Sequence, residues 1–219
     1  MNRSATKTQI IHEILPVGVL QCNCSIIGDT ANGECMVIDP GAEVERIAEI
    51  IEQHNLKVKQ IVITHGHIDH VAGAMRLKQL TGAPILMNKN DNEQLKLLDI
   101  QAAWIGLTAP GKVQIDASIG SGDVVKAGGL EASVMHTPGH TEGSSCLYFE
   151  REKKLIAGDT LFAGSIGRTD LPGGDFKKIL DSLHNLVLSL PDDTQVIPGH
   201  GPLTSIGRER ETNPFLVSK

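Results

Sequence analysis

Two rhythms of apolar and polar positions run along this chain. Short apolar, β-rich runs occur at residues 25–27, 35–38, 59–64, 131–136, 145–149 and 154–157. Several stop at Gly, Asp or Pro, residues that commonly close strands. Elsewhere the period is that of a helix. Val44, Ile47, Ala48 and Ile51 share one helical face, and Val71, Met75 and residues 77–80 repeat the pattern less cleanly. The clearest stripe is Phe176, Ile179, Leu180, Leu183, Leu186, Val187 and Leu190, with Asp175 placed to cap its start and Pro191 to end it. Residues 90–107 read as a further helix that closes near Gly106.

Strands come first and helices are spread over both halves. That order predicts an α/β sandwich of mixed sheets with outer helices. No Pro-, Gly- or Ser-rich linker divides the chain, so residues 1–219 read as one domain. Aromatic residues make up only 3%, so Ile, Val, Leu and Ala must fill most of the core.

The net charge of −6 argues against nucleic acid or an anionic membrane as partner, because phosphate binding needs a basic face. Residues 1–15 contain no apolar signal-peptide core, and no stretch has the length of a membrane-spanning helix, which predicts a cytoplasmic protein. Cys22, Cys24, Cys35 and Cys146 form no CxxC pair and read as reduced thiols. Cys22 and Cys24 share one side of an extended segment, but no second pair is present to complete a metal site, so buried free thiols are expected.

The run Thr64-His65-Gly66-His67-Ile68-Asp69-His70 carries the chemistry. It begins where the apolar segment 60–63 stops, so its donors sit on a loop at a strand's carboxyl end, where open α/β sheets bind ligands. His65 and His67 point the same way in extended chain, and Asp69 and His70 follow one turn later. These four donors crowd a single ion but can divide between two. Imidazole and carboxylate suit Zn, Fe(II) or Mn. A water-facing loop explains one histidine, but His-x-His-x-Asp-His behind a strand is rare by chance.

Three more strand exits repeat the logic. His140 follows strand 131–136, Asp159 follows 154–157, and His200 follows the short run 194–197, each beside Gly. His12, His54 and His184 lie outside these motifs, the last two on helix surfaces. His136 precedes its loop and reads as a packing or supporting residue. Arg168 and Asp170 are expected to form an ion pair that fixes the loop near Asp159, and Lys177 and Lys178 to lie on a solvated helix face.

The order His-x-His-x-Asp-His, His, Asp, His resembles the metallo-β-lactamase superfamily over nearly the whole chain. Residues 23–28 and 37–41 resemble its early strands. Gly158-Asp159-Thr160-Leu161-Phe162 and Gly167-Arg168-Thr169-Asp170 resemble its glyoxalase II branch. The resemblance implies an αββα sandwich with the site on one edge. It implies that His65, His67 and His140 hold one divalent ion and Asp69, His70 and His200 a second. Asp159 then bridges them, and Asp69 and Asp159 are the catalytic carboxylates. Zinc is the first expectation, with iron or manganese as alternatives.

A water between two cations loses its proton readily: the pKa of about 15.7 in bulk falls to about 7 on zinc. The resulting hydroxide can attack a carbonyl, and a thiol of pKa about 8.5 departs without a strong acid. No Ser or Cys nucleophile with a dedicated base is visible. The resemblance therefore implies a small-molecule thioester hydrolase of the hydroxyacylglutathione type, turning S-lactoylglutathione and water into lactate and glutathione. Only eighteen residues follow Gly201, so the helical C-terminal extension that contacts glutathione in typical glyoxalase II enzymes is not expected. This is the pattern of short, single-domain bacterial members. The alternatives are a persulfide dioxygenase with one Fe(II) on His65, His140 and Asp159, and a hydrolase of another ester or thioester. A β-lactamase, a nuclease and a non-catalytic metal protein are weighed down by the missing export signal, the acidic charge and the complete donor set.

Overall fold

In the computed structural model, which describes residues 9–217, the first half of the chain builds one sheet with its helices and the second half builds another. The first half runs β1 (Ile10–Val17), β2 (Cys22–Asp29), β3 (Glu34–Ile38), α1 (Val44–Gln53), β4 (Lys57–Ile63), α2 (Ile68–Val71), α3 (Ala74–Thr81) and β5 (Ile85–Met87). A 3-10 turn then leads to α4 (Asn92–Leu95), α5 (Leu98–Trp104) and β6 (Ala117–Ser118). The second half runs β7 (Val124–Ala127), β8 (Leu130–His136), β9 (Ser145–Phe149), β10 (Lys154–Gly158), β11 (Leu161–Phe162), β12 (Ser165–Ile166), α6 (Phe176–Asn185), β13 (Gln195–Pro198), β14 (Thr204–Ser205) and α7 (Ile206–Thr212). The reading of residues 1–15 as leaderless rests partly on residues 1–8, which lie outside the described residues.

Both six-stranded sheets are mixed, in the orders β1-β2-β3-β4-β5-β6 and β14-β13-β10-β9-β8-β7. In the first sheet β3, β4 and β5 run parallel; in the second β10 and β13 do. Alternate side chains of these strands go to opposite faces, and both faces are covered. Met36, Ile38 and Val62 meet Leu147, Phe149, Ile156 and Ile197 between the sheets. Val37, Ile61 and Ile63 point the other way, onto Ile47 and Ile51 of α1 and Leu77 of α3. Leu155, Ala157 and Val196 likewise face Ile179 and Leu183 of α6. The layers are therefore helix, sheet, sheet, helix, the αββα sandwich that the resemblance implied.

Several expected elements change. β1 is an edge strand, paired only with β2 and partly exposed, so His12, Glu13 and Pro16 interrupt the apolar run that marks a buried strand. Residues 90–107 are not one helix. Asn88 Oδ1 accepts from Asn90 N at 3.0 Å, and the Asp91 carboxylate turns inward to other loops, which breaks the segment into a 3-10 turn and two short helices. The stripe from Phe176 also stops early. α6 ends at Asn185, and Val187 reaches the core through a separate 3-10 turn, so Pro191 follows that turn rather than the helix. Leu186 lies exposed just past the helix end, and Phe176 is exposed in its first turn. Asp175 does cap the helix: its side chain accepts from Lys178 N at 3.0 Å.

Candidate metal centre

The loops after β4, β8, β10 and β13 meet on one edge of the sandwich and are sewn together by backbone bonds. Ser145 N donates to Thr64 O at 2.9 Å, Gly199 N to Gly158 O at 2.7 Å and Asn23 N to Gly199 O at 2.7 Å. All seven side chains singled out in the sequence gather there. His65, His67 and His140 form one group, Asp69, His70 and His200 another, and within each the donor atoms lie no more than 4.8 Å apart. A third, overlapping group is His65, His70 and Asp159. Asp159 stands between the first two. Its carboxylate lies 3.5 Å from His140 Nε2 on one side, and 3.4 Å from His70 Nε2 and 3.7 Å from His200 Nε2 on the other.

Each ring is oriented by what its far nitrogen touches. His70 Nδ1 lies 2.9 Å from Asp39 Oδ2, His140 Nδ1 2.8 Å from Arg168 O, and His200 Nδ1 2.9 Å from Leu20 O. His65 Nδ1 lies 3.1 Å from Thr64 Oγ1, a hydroxyl that itself donates to Asp39 at 2.7 Å. Donation from these four Nδ1–H groups leaves the Nε2 lone pairs aimed at the cluster. His67 is reversed: its Nδ1 faces inward, 3.1 Å from His65 Nε2 and 3.0 Å from His140 Nε2.

The electrostatics favour the donor form at His65, His67, Asp69 and Asp159, whereas the carboxylates around His70 and His200 favour their protonated rings, whose Nε2 protons a cation would displace. Burial, with His70 and His140 adding to it, holds His65 well below the usual imidazole range. Burial, then His140, lowers His67 to about 3. Both rings are thus neutral donors. At Asp69 and Asp159 burial favours the acid, but the surrounding histidines outweigh it and keep both carboxylates ionised. At His70 burial opposes charge, and Cys22, Asp69, Asp159 and Asp39 overcome it to hold the pKa well above normal. Two buried atoms of the cluster, His70 Nε2 and Asp159 Oδ1, have no hydrogen-bond partner among the described residues. Buried polar atoms are rarely left unpaired unless something else occupies the gap. Donors around a tetrahedral zinc, with bonds of about 2.0–2.1 Å, stand roughly 3.3 Å apart, close to the spacing of the His65, His67 and His140 nitrogens. The residues present therefore fit divalent cations.

Two supporting carboxylates went unassigned in the sequence. Asp39 sits at the exit of β3 with a left-handed φ of 54°. That conformation is held by bonds from Thr64 N and Thr64 Oγ1, both 2.7 Å, and by the His70 contact. Its place after an apolar strand and before Pro40-Gly41 is the same signal that marks His140 and His200. Asp91 carries no such signal. It is fully buried and accepts from Gly66 N at 2.8 Å, Thr141 Oγ1 at 2.7 Å and Gly143 N at 2.6 Å, tying the His65–His67 loop to the His140 loop. The remaining histidines stay away from the cluster. His136 Nε2 donates to Glu142 O at 2.8 Å, His54 meets Glu13 at 3.2 Å, and His184 is exposed on α6. All four cysteines are buried free thiols. Cys22 Sγ lies 3.5 Å from His70 Nδ1, on the ring edge turned away from the cluster.

The metallo-beta-lactamase superfamily model matches residues 17–200, a span that includes every donor above. The chain belongs to the metallo-beta-lactamase superfamily. Its members are hydrolases or related enzymes that bind divalent metal ions. Among similar proteins, one from Aquifex aeolicus with no assigned function is 46% identical over 94% of this chain and 97% of its own length. A hydroxyacylglutathione hydrolase, GloC, from Haemophilus influenzae is 42% identical over 94% of this chain and 98% of its own. Among solved structures, the BLEG-1 B3 metallo-beta-lactamase superposes with a TM-score of 0.88 at 33% identity, covering 95% of this chain and all (100%) of that one. TTHA1623 in a di-iron-bound form gives 0.84 at 34% identity, covering 93% of this chain and 100% of that one.

A cavity of about 420 Å³ opens beside the cluster. His67, Asp69, His140, Asp159 and His200 form its floor, and no helix among the described residues is long and apolar enough to cross a membrane.

Proposed function

We propose that this member of the superfamily is a metal-dependent thioester hydrolase of the hydroxyacylglutathione type. The observation that carries the reading is the pair of donor groups joined by Asp159. His65, His67 and His140 would hold one cation, Asp69, His70 and His200 a second, and Asp159 would touch both. Bound divalent cations, with zinc the first expectation and iron or manganese alternatives, supply an acidified water and a polarised carbonyl. The likeness to GloC supports the choice of a thioester as substrate.

The protein's own part is positional. Asp39, Thr64, Arg168 O and Leu20 O lock four imidazoles with one nitrogen facing the floor of the cavity. Asp69 lies on that floor with Oδ2 3.1 Å from His200 Nε2, where it can take and pass on a proton. In the overall reaction water adds to the acyl carbon and the C–S bond breaks. The sulfur leaves as a thiolate, which is a stable enough anion to need no strong acid behind it.

The test is thiol release from S-lactoylglutathione by protein loaded separately with zinc, iron or manganese. Full occupancy with no release from any thioester would overturn the reading. The rival, a persulfide dioxygenase with one iron on His65, His140 and Asp159, leaves the Asp69, His70 and His200 group without a purpose. A single iron per chain with oxygen uptake on glutathione persulfide would establish it instead.

A further inference from the structure

Helix α5 buries Leu98 and Ala102 yet leaves Ile100 50% and Trp104 62% exposed. Those two side chains do not face open surface at random. With Leu97 and Ile105 they line the cavity beside the cluster, and Leu20 and Leu171 join the lining from other loops. Leu20 is itself 45% exposed, and its carbonyl is the group that holds His200. Large apolar side chains concentrated at the mouth of a functional cavity mark the part of a ligand that is apolar.

The charges in the cavity say the same. Arg168 is the one Lys or Arg among its lining residues, and its guanidinium is already engaged: Nε donates to Asp170 Oδ1 and Nη2 to Asp170 Oδ2, both at 2.8 Å. The other charged lining residues, Asp69 and Asp159, are anionic. Glutathione presents two carboxylates, and apart from the metal centre the lining offers them only Arg168, which Asp170 already holds. A lactoyl group is small and polar, and it leaves this apolar lining uncovered.

We propose, on the thioester-hydrolase reading, that this apolar wall sets specificity and that the preferred substrates are thioesters bearing an alkyl or aryl group. The group can belong to the acyl half or to the thiol half, and the substrates tested separate the two. Ile100 and Trp104 are the specificity-determining residues.

Trp104 is the sole tryptophan of the chain, so its fluorescence reports on the wall without any turnover. Metal-loaded protein is titrated with S-hexylglutathione and S-methylglutathione, thioethers that cannot be hydrolysed. The expected result is at least tenfold tighter binding of the hexyl compound, with Trp104 emission moving to shorter wavelength. Equal affinities, or a silent Trp104, overturn the proposal. In parallel, kcat/KM is measured for S-lactoylglutathione, S-hexanoylglutathione and the S-hexyl thioester of lactate. One hexyl or hexanoyl substrate exceeds S-lactoylglutathione at least tenfold, and which one does so identifies the half that meets the wall. Ile100→Asp reduces that ratio at least tenfold. If S-lactoylglutathione is turned over as well as either apolar substrate, the wall proposal fails and the hydrolase reading stands. If no thioester is turned over, the hydrolase reading fails and the fluorescence titration still decides the wall.

Discussion

Asp39 Oδ2 and His70 Nδ1 meet at 2.9 Å with both side chains buried, and the contact decides which nitrogen of His70 faces the metal cluster. With Nδ1 donating to Asp39, Nε2 is the nitrogen that faces Asp69 and Asp159. Carboxylates behind metal-bound histidines typically change affinity by about 10–100-fold when removed. Asp39→Ala is therefore expected to weaken the second cation by that order, and the first by less, because Thr64 Oγ1 behind His65 loses its acceptor as well. Competition against a chromophoric chelator reads the two affinities separately. A variant that retains both at the wild-type level shows that His70 is oriented by its packing alone.

The position of Asp159 separates three substitutions. His200 belongs to one donor group only, so His200→Ala is expected to leave one cation per chain. His67→Ala should remove the cation of the other group and abolish thioester hydrolysis. Asp159 approaches members of both groups, at 3.4–3.7 Å, so Asp159→Ala should depress occupancy at both and abolish hydrolysis as well. Elemental analysis after dialysis gives the stoichiometries. Two tightly held cations in Asp159→Ala would remove it from the centre.

Gly199 precedes His200, and its lack of a side chain is a steric requirement. A Cβ there would overlap Asp159 Oδ1 and come within 2.8 Å of His70 Cε1. Its amide is also committed, donating to Gly158 O at 2.7 Å, so the backbone cannot easily draw back. Gly199→Ala should fold, because the clash lies at the rim and not in either core, but should lose at least tenfold in metal affinity. Wild-type metal content with wild-type hydrolysis would show that the loop yields.

The convergence of these seven side chains was legible because each closes an apolar strand or its loop, and strands β4, β10 and β13 deliver their carboxyl ends to the same edge. Nothing about side-chain direction had to be known. Asp91 was illegible for the opposite reason. Its partners Gly66 and Gly143 lie far from it along the chain, and Asn90-Asp91-Asn92 looks locally like a helix start. The pairing of Arg168 with Asp170 was anticipated, whereas the bond from His140 to the Arg168 carbonyl was not, since a backbone acceptor leaves no trace in residue identity. The same limit applies to β1: an edge strand needs only one apolar face, so its pattern is weak. The end of α6 at Asn185 was missed because Leu186, Val187 and Leu190 keep a helical rhythm across a 3-10 turn.

His12 provides a test of the fold that is independent of the metal centre. It lies on β1, largely buried, with Nδ1 3.0 Å from Lys154 Nζ on the second sheet and no partner for Nε2 among the described residues. Burial, then the Lys154 charge, lowers its pKa from 6.5 to about 4. The unfolded chain binds a proton at this histidine near pH 6.5, and the folded chain resists it until about pH 4. The stabilisation is thus complete above pH 6.5 and is lost as the pH falls toward 4. At about 1.4 kcal/mol per pH unit, the loss across the window is on the order of 3 kcal/mol. His12→Gln keeps an acceptor for Lys154 but cannot titrate. Urea unfolding of the metal-free wild type and variant at pH 7 and pH 5 should show the stability difference between them shifting in the variant's favour at pH 5, by roughly 1–2 kcal/mol. Comparing the two proteins cancels the contributions of His65 and His67, which are common to both. An identical difference at the two pH values would mean that His12 takes up its proton equally well in the folded and unfolded chain.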